Sequence, residues 1–217
     1  MRSKRFVSAA AVLLAVLAAS ACGGGGGGSA KQSGGCTDVS APSPKDESNH
    51  QAPTSELDAG KTYRVAVETN CGTFTITLDT KASPKTAASF VSLAEDGYFD
   101  DTTFHRIVPG FVIQGGDPTG KGTGGPGYTT VEPPPPSTAY VQYVVAMAKA
   151  SSEPPGTAGS QFFVVTGPDA QLPAEYALLG KVTDGQAVVD RIGKLGDPNT
   201  EAPTRAVVIQ KMSVETG

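Results

Sequence analysis

From position 63 onward, apolar and polar residues alternate in short runs separated by turn-forming residues. Tyr63-Arg64-Val65-Ala66-Val67-Glu68-Thr69 has period two, Asn70-Cys71-Gly72 supplies a turn, and Phe74-Thr75-Ile76-Thr77-Leu78 resumes the period. This pattern predicts a β-hairpin. Ser83-Pro84 opens a different pattern, with Ala87, Phe90, Val91 and Ala94 on one face of a helix. Ser83 is its expected N-cap, Pro84 its first residue, and Gly97 its end. Further strands are expected at 102–108, 111–114, 141–148, 162–166 and 177–182, then a short helix at 186–192 and a closing strand at 205–214. Eight strands and two isolated helices point to a mainly β fold. It is either a closed antiparallel barrel with a helix over each open end or a two-sheet sandwich, and the pattern alone does not separate the two. Closure would remove the exposed strand edges that invite aggregation.

The first 60 residues follow neither period. Arg2, Lys4 and Arg5 precede an apolar run at 9–19, so residues 1–21 are expected to be an export signal, too short to span a membrane comfortably. Ala19-Ser20-Ala21-Cys22 resembles the lipobox of bacterial lipoproteins, with alanine where leucine is usual three residues before the cysteine. The resemblance implies that Cys22 is acylated and becomes the new N-terminus. Residues 22–60, rich in Gly, Ser, Pro and Lys, bury too little apolar surface to offset ordering and read as a flexible tether. Residues 61–217 are then one domain, exported and lipid-anchored to the cell membrane, facing outward. The formal charge is −4 and falls further once Arg2, Lys4 and Arg5 are removed, which argues against nucleic acid or anionic lipid as ligands. Cys36 and Cys71 allow two readings, a disulfide tying the tether to the domain or two separate thiols.

Chemistry concentrates at Phe104-His105-Arg106-Ile107-Val108-Pro109-Gly110-Phe111-Val112-Ile113-Gln114-Gly115-Gly116-Asp117 and the glycine-rich run to Gly127. Together with Met147-Ala148, Gly159-Ser160-Gln161-Phe162-Phe163, Pro84-Lys85-Thr86 and Leu179-Gly180-Lys181-Val182, these residues resemble the cyclophilins, a family of peptidyl-prolyl cis-trans isomerases. The similarity runs from about Tyr63 to Val214. It implies a closed eight-stranded antiparallel barrel capped by two helices. It further implies Arg106 as the catalytic residue and a substrate site made by His105, Phe111, Val112, Gln114, Ala148, Lys149, Phe163, Leu172 and Tyr176. Lys149 stands where the family usually has an asparagine whose main chain binds substrate. Proline-containing polypeptides are the implied substrates of a monomer that works without cofactor or metal.

Several positions depart from the family pattern. Val112 replaces a methionine, Gln171 a rim tryptophan, and Tyr176 a frequent histidine. Loss of the indole is expected to weaken cyclosporin-like cyclic peptides. The loop at 150–159 is about three residues longer than usual and borders the expected substrate channel. Pro133 to Pro136 favour an extended, stiff surface connection.

Arginine suits this reaction because it stays charged, offers several N–H donors and accepts nothing. Hydrolysis is disfavoured: the second histidine, His50, lies in the tether, and no serine or cysteine pairs with His105. Metal binding is disfavoured by the absence of paired His or Cys spacing. The glycines at 115–127 lack the Lys-Ser/Thr of a phosphate loop. A proline-peptide binding module or holdase is the alternative class; a small-ligand carrier barrel is a weaker one.

Overall fold

The computed structural model describes residues 32, 33 and 35–217; the expected export signal and Cys22 lie outside them. In chain order the elements are β1 Gln32–Ser33, β2 Cys36–Thr37, β3 Tyr63–Thr69, β4 Gly72–Leu78, α1 Pro84–Glu95, β5 Thr102–Thr103, β6 Arg106–Val108 and β7 Val112–Gly115. They continue with β8 Thr130–Val131, β9 Val144–Met147, β10 Thr157–Ala158, β11 Phe162–Val165, β12 Leu178–Asp184, α2 Gln186–Gly193 and β13 Val208–Thr216. Nine strands form one antiparallel sheet in the order β5-β13-β3-β4-β12-β9-β11-β7-β6. The edge strands β5 and β6 are separated in the chain by just Phe104 and His105, so the sheet curls back on itself. An isolated bridge from Thr103 to Asp117 joins β5 to the segment after β7.

The mainly β, two-helix class matches the sequence expectation, with nine strands rather than eight. The run at 102–108 splits because Phe104 N–H donates to Val207 O at 2.9 Å while Ile107 N–H donates to Glu201 O at 2.8 Å. These bonds turn the chain from β13 toward β7. The strand expected at 141–148 starts at Val144, since Tyr143 has φ of +69°, a conformation that breaks an extended run. The closing strand begins at Val208 and not at 205.

Burial follows the period-two rule on two sides. Val65 and Val67 of β3, Phe74 and Ile76 of β4, and Val145, Met147, Phe162 and Val164 point into the main core with Phe90 and Leu93 of α1 and Ile192 of α2. The alternate residues of the central strands, Val112, Val144, Ala146, Phe163 and Val165, are also buried, in a second apolar cluster with Tyr140. β9 and β11 are therefore covered on both faces.

Ser83 occupies the N-cap position of α1 but makes no capping hydrogen bond, and its buried Oγ has no partner. The expected cap is replaced from afar: the Glu132 carboxylate accepts from Lys85 N–H at 3.1 Å and Thr86 N–H at 2.7 Å. Its negative charge complements the positive end of the helix dipole. Glu132 directly follows β8, which pairs with β10, and its own N–H donates to Gly156 O at 2.9 Å, so this pairing and not the Pro133 to Pro136 run holds the long-range cap in place.

The expectation of a flexible tether up to residue 60 needs correction for its described part. Cys36 is buried and disulfide-bonded to Cys71 in the β3–β4 turn. Beyond it, Thr37 N–H donates to Asn70 O, Asp38 pairs with Arg205, and Lys45 N–H and His50 N–H donate to Pro118 O and Pro126 O. Leu57 packs against the main core. Backbone hydrogen bonds and a covalent tie, rather than a run of apolar side chains, hold this segment. A composition argument therefore missed it.

Asp117, fully buried, organises the glycine-rich run. Its carboxylate accepts from Thr119 N–H and Oγ1–H and from the N–H groups of Lys121, Gly122 and Thr123. Burial alone would raise its pKa, yet the hydrogen bonds prevail and hold the carboxyl below its ordinary range. A carboxyl that titrates lower when folded adds stability above its unfolded value, near 3.9. That contribution is lost as pH falls through the lower folded value.

Two predictions follow from these ties. Asp117→Asn is expected to cost about 2 kcal/mol at pH 7 in thermal unfolding, with the gap to wild type closing below pH ~3.9; a pH-independent gap would contradict the role assigned to this carboxylate. Non-reducing peptide mapping should recover residues 36 and 71 in one cross-linked fragment, and Cys36→Ser should lower unfolding stability by about 2–4 kcal/mol. Recovery of two free thiols from the oxidised protein would refute the bond.

Candidate active site

Strand register builds the site. Arg106 pairs with Gln114, Gln114 with Phe163, Phe163 with Ala146, and Ala146 with Leu178. Directly opposed residues share a face, so β6, β7, β11, β9 and β12 contribute one row across the outer surface of the sheet. Val108, Val112 and Val165 form the neighbouring row two residues along. Gln161 and Ala148 lie two residues the other way, joined by Ala148 N–H donating to Gln161 O at 2.8 Å. The Arg106-Gln114-Phe163-Ala146-Leu178 row carries polar groups at its β6–β7 end and apolar ones beyond, and the Val108-Val112-Val165 row beside it is wholly apolar.

The apolar part of this surface is a slot. Phe111, Ala148, Leu172 and Tyr176, all partly exposed, pack against the buried Val112, Ala146 and Phe163. Tyr176 stands edge-on to Phe163 with ring centroids 5.5 Å apart, and Tyr140 is edge-on to Tyr176 at 5.9 Å. Tyr140 Oη donates to Tyr176 O at 2.6 Å and accepts from Tyr176 N–H at 2.9 Å, which fixes the Tyr176 backbone. Gln171, exposed at φ +51°, sits one residue before Leu172 and is anchored through its N–H to the Asp169 carboxylate.

Along the slot runs a polar chain. Arg106 Nε donates to Glu201 Oε2 at 2.7 Å and Nη1 to Gln114 Oε1 at 3.4 Å. Gln114 Nε2 donates to Gln161 Oε1 at 3.0 Å, and Gln161 Nε2 donates to Gly124 O at 3.0 Å. The Arg106 and Glu201 side chains are 35% and 45% exposed. Such a pair adds little stability, but with the Gln114 bond it holds the guanidinium by its Nε edge and one terminal nitrogen, on a side chain that stays part-exposed. Glu201 is itself fixed: its N–H donates to Asp197 O, and the Asp197 carboxylate caps Asn199 and Thr200 N–H.

Most of the sequence-predicted residues come together here: Arg106, Phe111, Val112, Gln114, Ala148, Phe163, Leu172 and Tyr176. Lys149, expected to act through its main chain, borders them with its side chain turned away to other partners. Its side chain is 3% exposed and bonds Glu175 Oε2 at 3.3 Å and Glu153 O at 3.1 Å, with the ammonium 5.6 Å from the Tyr176 ring centroid. The ammonium is thus shared between Glu175 and the loop at 150–159, where Glu153 also accepts from Ala150 N–H. His105 lies outside the slot, its ring against Gly122 of the glycine-rich run. Burial holds its pKa below the ordinary histidine value, so it is neutral at pH 7.

Two residues escaped the sequence reading. Gln161 was legible in principle, since it shares the period-two face of Phe163 and Val165. Glu201, 95 residues from Arg106, lies in an irregular loop and carries no local signal.

Beside the slot a groove of about 770 Å³ opens, lined by Gln114, Ala148, Lys149, Gln161 and the glycine-rich run. An apolar slot, a fixed cation and an adjoining polar groove suit an extended peptide.

Comparison with known proteins agrees with this geometry. Residues 64–214 match the family model described as cyclophilin type peptidyl-prolyl cis-trans isomerase/CLD. The chain is 40% identical over 169 residues to peptidyl-prolyl cis-trans isomerase B of Streptomyces anulatus, covering 69% of this chain and 95% of that protein. It is 37% identical over 171 residues to peptidyl-prolyl cis-trans isomerase A of Mycobacterium tuberculosis, covering 70% and 92%. Among solved structures, the cyclophilin type peptidyl-prolyl cis-trans isomerase of Cryptosporidium parvum in the presence of the dipeptide Ala-Pro superposes with a TM-score of 0.65 at 33% identity, covering 70% of this chain and 98% of that one. With a matching family model over most of its length, the curled antiparallel sheet and the slot on its outer face, this chain belongs to the cyclophilin-type peptidyl-prolyl cis-trans isomerases.

Proposed function

We propose that the chain accelerates rotation of Xaa-Pro bonds in exported polypeptides, at the outer face of the cell membrane, where a lipid on Cys22 holds it as a monomer. The observation carrying the catalytic part is the row Arg106-Gln114-Phe163-Ala146, which sets a guanidinium at the end of an apolar slot.

Rotation about a peptide bond meets a barrier of ~18–20 kcal/mol because resonance stiffens the C–N bond. Before proline the two isomers differ by about 1 kcal/mol, so the difficulty is rate rather than equilibrium. At the twisted midpoint the prolyl nitrogen leaves conjugation and becomes an acceptor. Arg106 donates to it there and far more weakly in the planar forms, which lowers the barrier rather than merely improving affinity. A ~1000-fold gain corresponds to about 4 kcal/mol.

Phe111, Val112, Phe163 and Leu172 hold the proline ring, and Tyr176 covers it. Gln114 and the main chain at Ala148 and Lys149 bind the substrate backbone. His105, neutral and turned toward Gly122, flanks the site and buttresses the glycine-rich run. Gln171 provides no indole donor at the rim, which favours weak binding of cyclosporin-like cyclic peptides. The placement outside the cell rests on the sequence pattern of residues 1–22.

Arg106→Ala is expected to lower kcat/KM on a proline tetrapeptide at least 100-fold with an unchanged circular dichroism spectrum. Glu201→Ala should lower kcat several-fold with little change in KM, because it frees the guanidinium without removing it. Rates equal to wild type in both variants would defeat the assignment and favour a binding module. Cys22→Ala should move the protein from the membrane to the soluble fraction, and an unchanged distribution would count against the anchor.

A further inference from the structure

We propose that residues 45–50, from the segment expected to be a tether, form a wall of the substrate groove and screen the residues flanking the proline. The inference rests on the isomerase reading above. Lys45 N–H donates to Pro118 O at 2.9 Å and His50 N–H to Pro126 O at 3.0 Å, so this strap grips the glycine-rich run at both ends. Lys45 Nζ donates to Asp100 O at 2.7 Å and Tyr98 O at 3.3 Å, and the His50 ring stands edge-on to Tyr98 at 5.1 Å. Tyr98 Oη is in turn 2.9 Å from Ser160 Oγ, which lines the groove. The strap is thus tied to the groove from outside and from beneath.

Ser48 reaches the groove itself. It lines the cavity together with Gln114, Ala148 and Gln161, residues shared with the proline slot. Its carbonyl lies so close to Gly127 that a Cβ there would overlap it, and Gly127 has φ of +90°, which favours glycine. Ser48 N–H and Oγ–H both donate to the Asp46 carboxylate, holding the strap in a tight turn at this point. A peptide whose proline occupies the slot and whose flank enters the groove must pass this turn.

The groove presents glycine backbone, hydroxyl and amide groups, with the Lys149 ammonium bound to Glu175 and to the Glu153 carbonyl. Its chemistry suits a polypeptide backbone bearing small or polar side chains. A side chain of the peptide's flank that enters the groove passes against the Ser48 turn. The strap therefore acts on the choice of substrate, while Arg106 acts on the rotation itself.

The test compares full-length wild type with Ser48→Trp, an exposed position whose substitution leaves the core intact. Substrates are a proline tetrapeptide and two longer peptides extended by four residues on one side or the other of the proline. For one of the two extensions, the ratio of kcat/KM on the long peptide to that on the tetrapeptide is expected to fall about fivefold, with thermal unfolding unchanged. If both ratios equal those of wild type, the strap is no part of the substrate site. Wild-type turnover of the tetrapeptide separately reports the isomerase reading, so its absence defeats that reading and an unchanged ratio with turnover present defeats the strap alone.

Discussion

Everything at this site depends on the register of strands that are covered on both faces. In β7, β9 and β11, residues of one parity fill the main core and those of the other parity build the slot. A slip of one residue would turn Gln114 and Phe163 inward and send Ile113 and Val164 to the surface. The packing of the core therefore sets the geometry of the site, and the large buried side chains Phe74, Phe90, Phe99, Phe104 and Phe162 hold the register indirectly.

On that fixed surface the polar groups are arranged as a chain. Glu201, Arg106, Gln114, Gln161 and the Gly124 carbonyl are hydrogen-bonded in sequence, so each side chain limits the rotamers of the next. Asp117 holds the glycine-rich run from inside, and residues 45–50 hold it from outside. An arginine side chain carries much rotamer entropy. Restraint at its Nε edge lowers the entropy lost when a peptide docks. Pre-positioned donors of this kind favour the twisted bond over either flat form.

Much of the fold was readable because alternation is local. The hairpin at 63–78, the helix at Pro84–Glu95 and the short helix at Gln186–Gly193 were all visible in a few residues' periodicity. What was not readable came from distant partners. Glu132 caps α1 from 46 residues away, Glu201 restrains Arg106 from 95 residues away, and the N-terminal strap is held by backbone bonds beside the Cys36–Cys71 disulfide, which the sequence alone allows as one of two readings. None of these leaves a periodic trace. Ser83 illustrates the converse, a sequence position with every mark of a cap whose hydroxyl does not serve as one. At the site, Arg106, Phe111, Gln114 and Phe163 were marked by the family resemblance, whereas the register that puts Arg106, Gln114 and Phe163 on one face needs the strand pairing. The buried fate of the Lys149 ammonium depended on the longer loop at 150–159 and could not be read from spacing.

A crystal structure of the protein with a bound Xaa-Pro peptide tests the central assignment most directly. The expected result is a proline ring against Phe111, Phe163 and Leu172, with an Arg106 Nη atom within about 3 Å of the prolyl nitrogen and Nε still on Glu201. A proline seated elsewhere on the sheet, or a guanidinium turned into solvent away from the peptide, would contradict it.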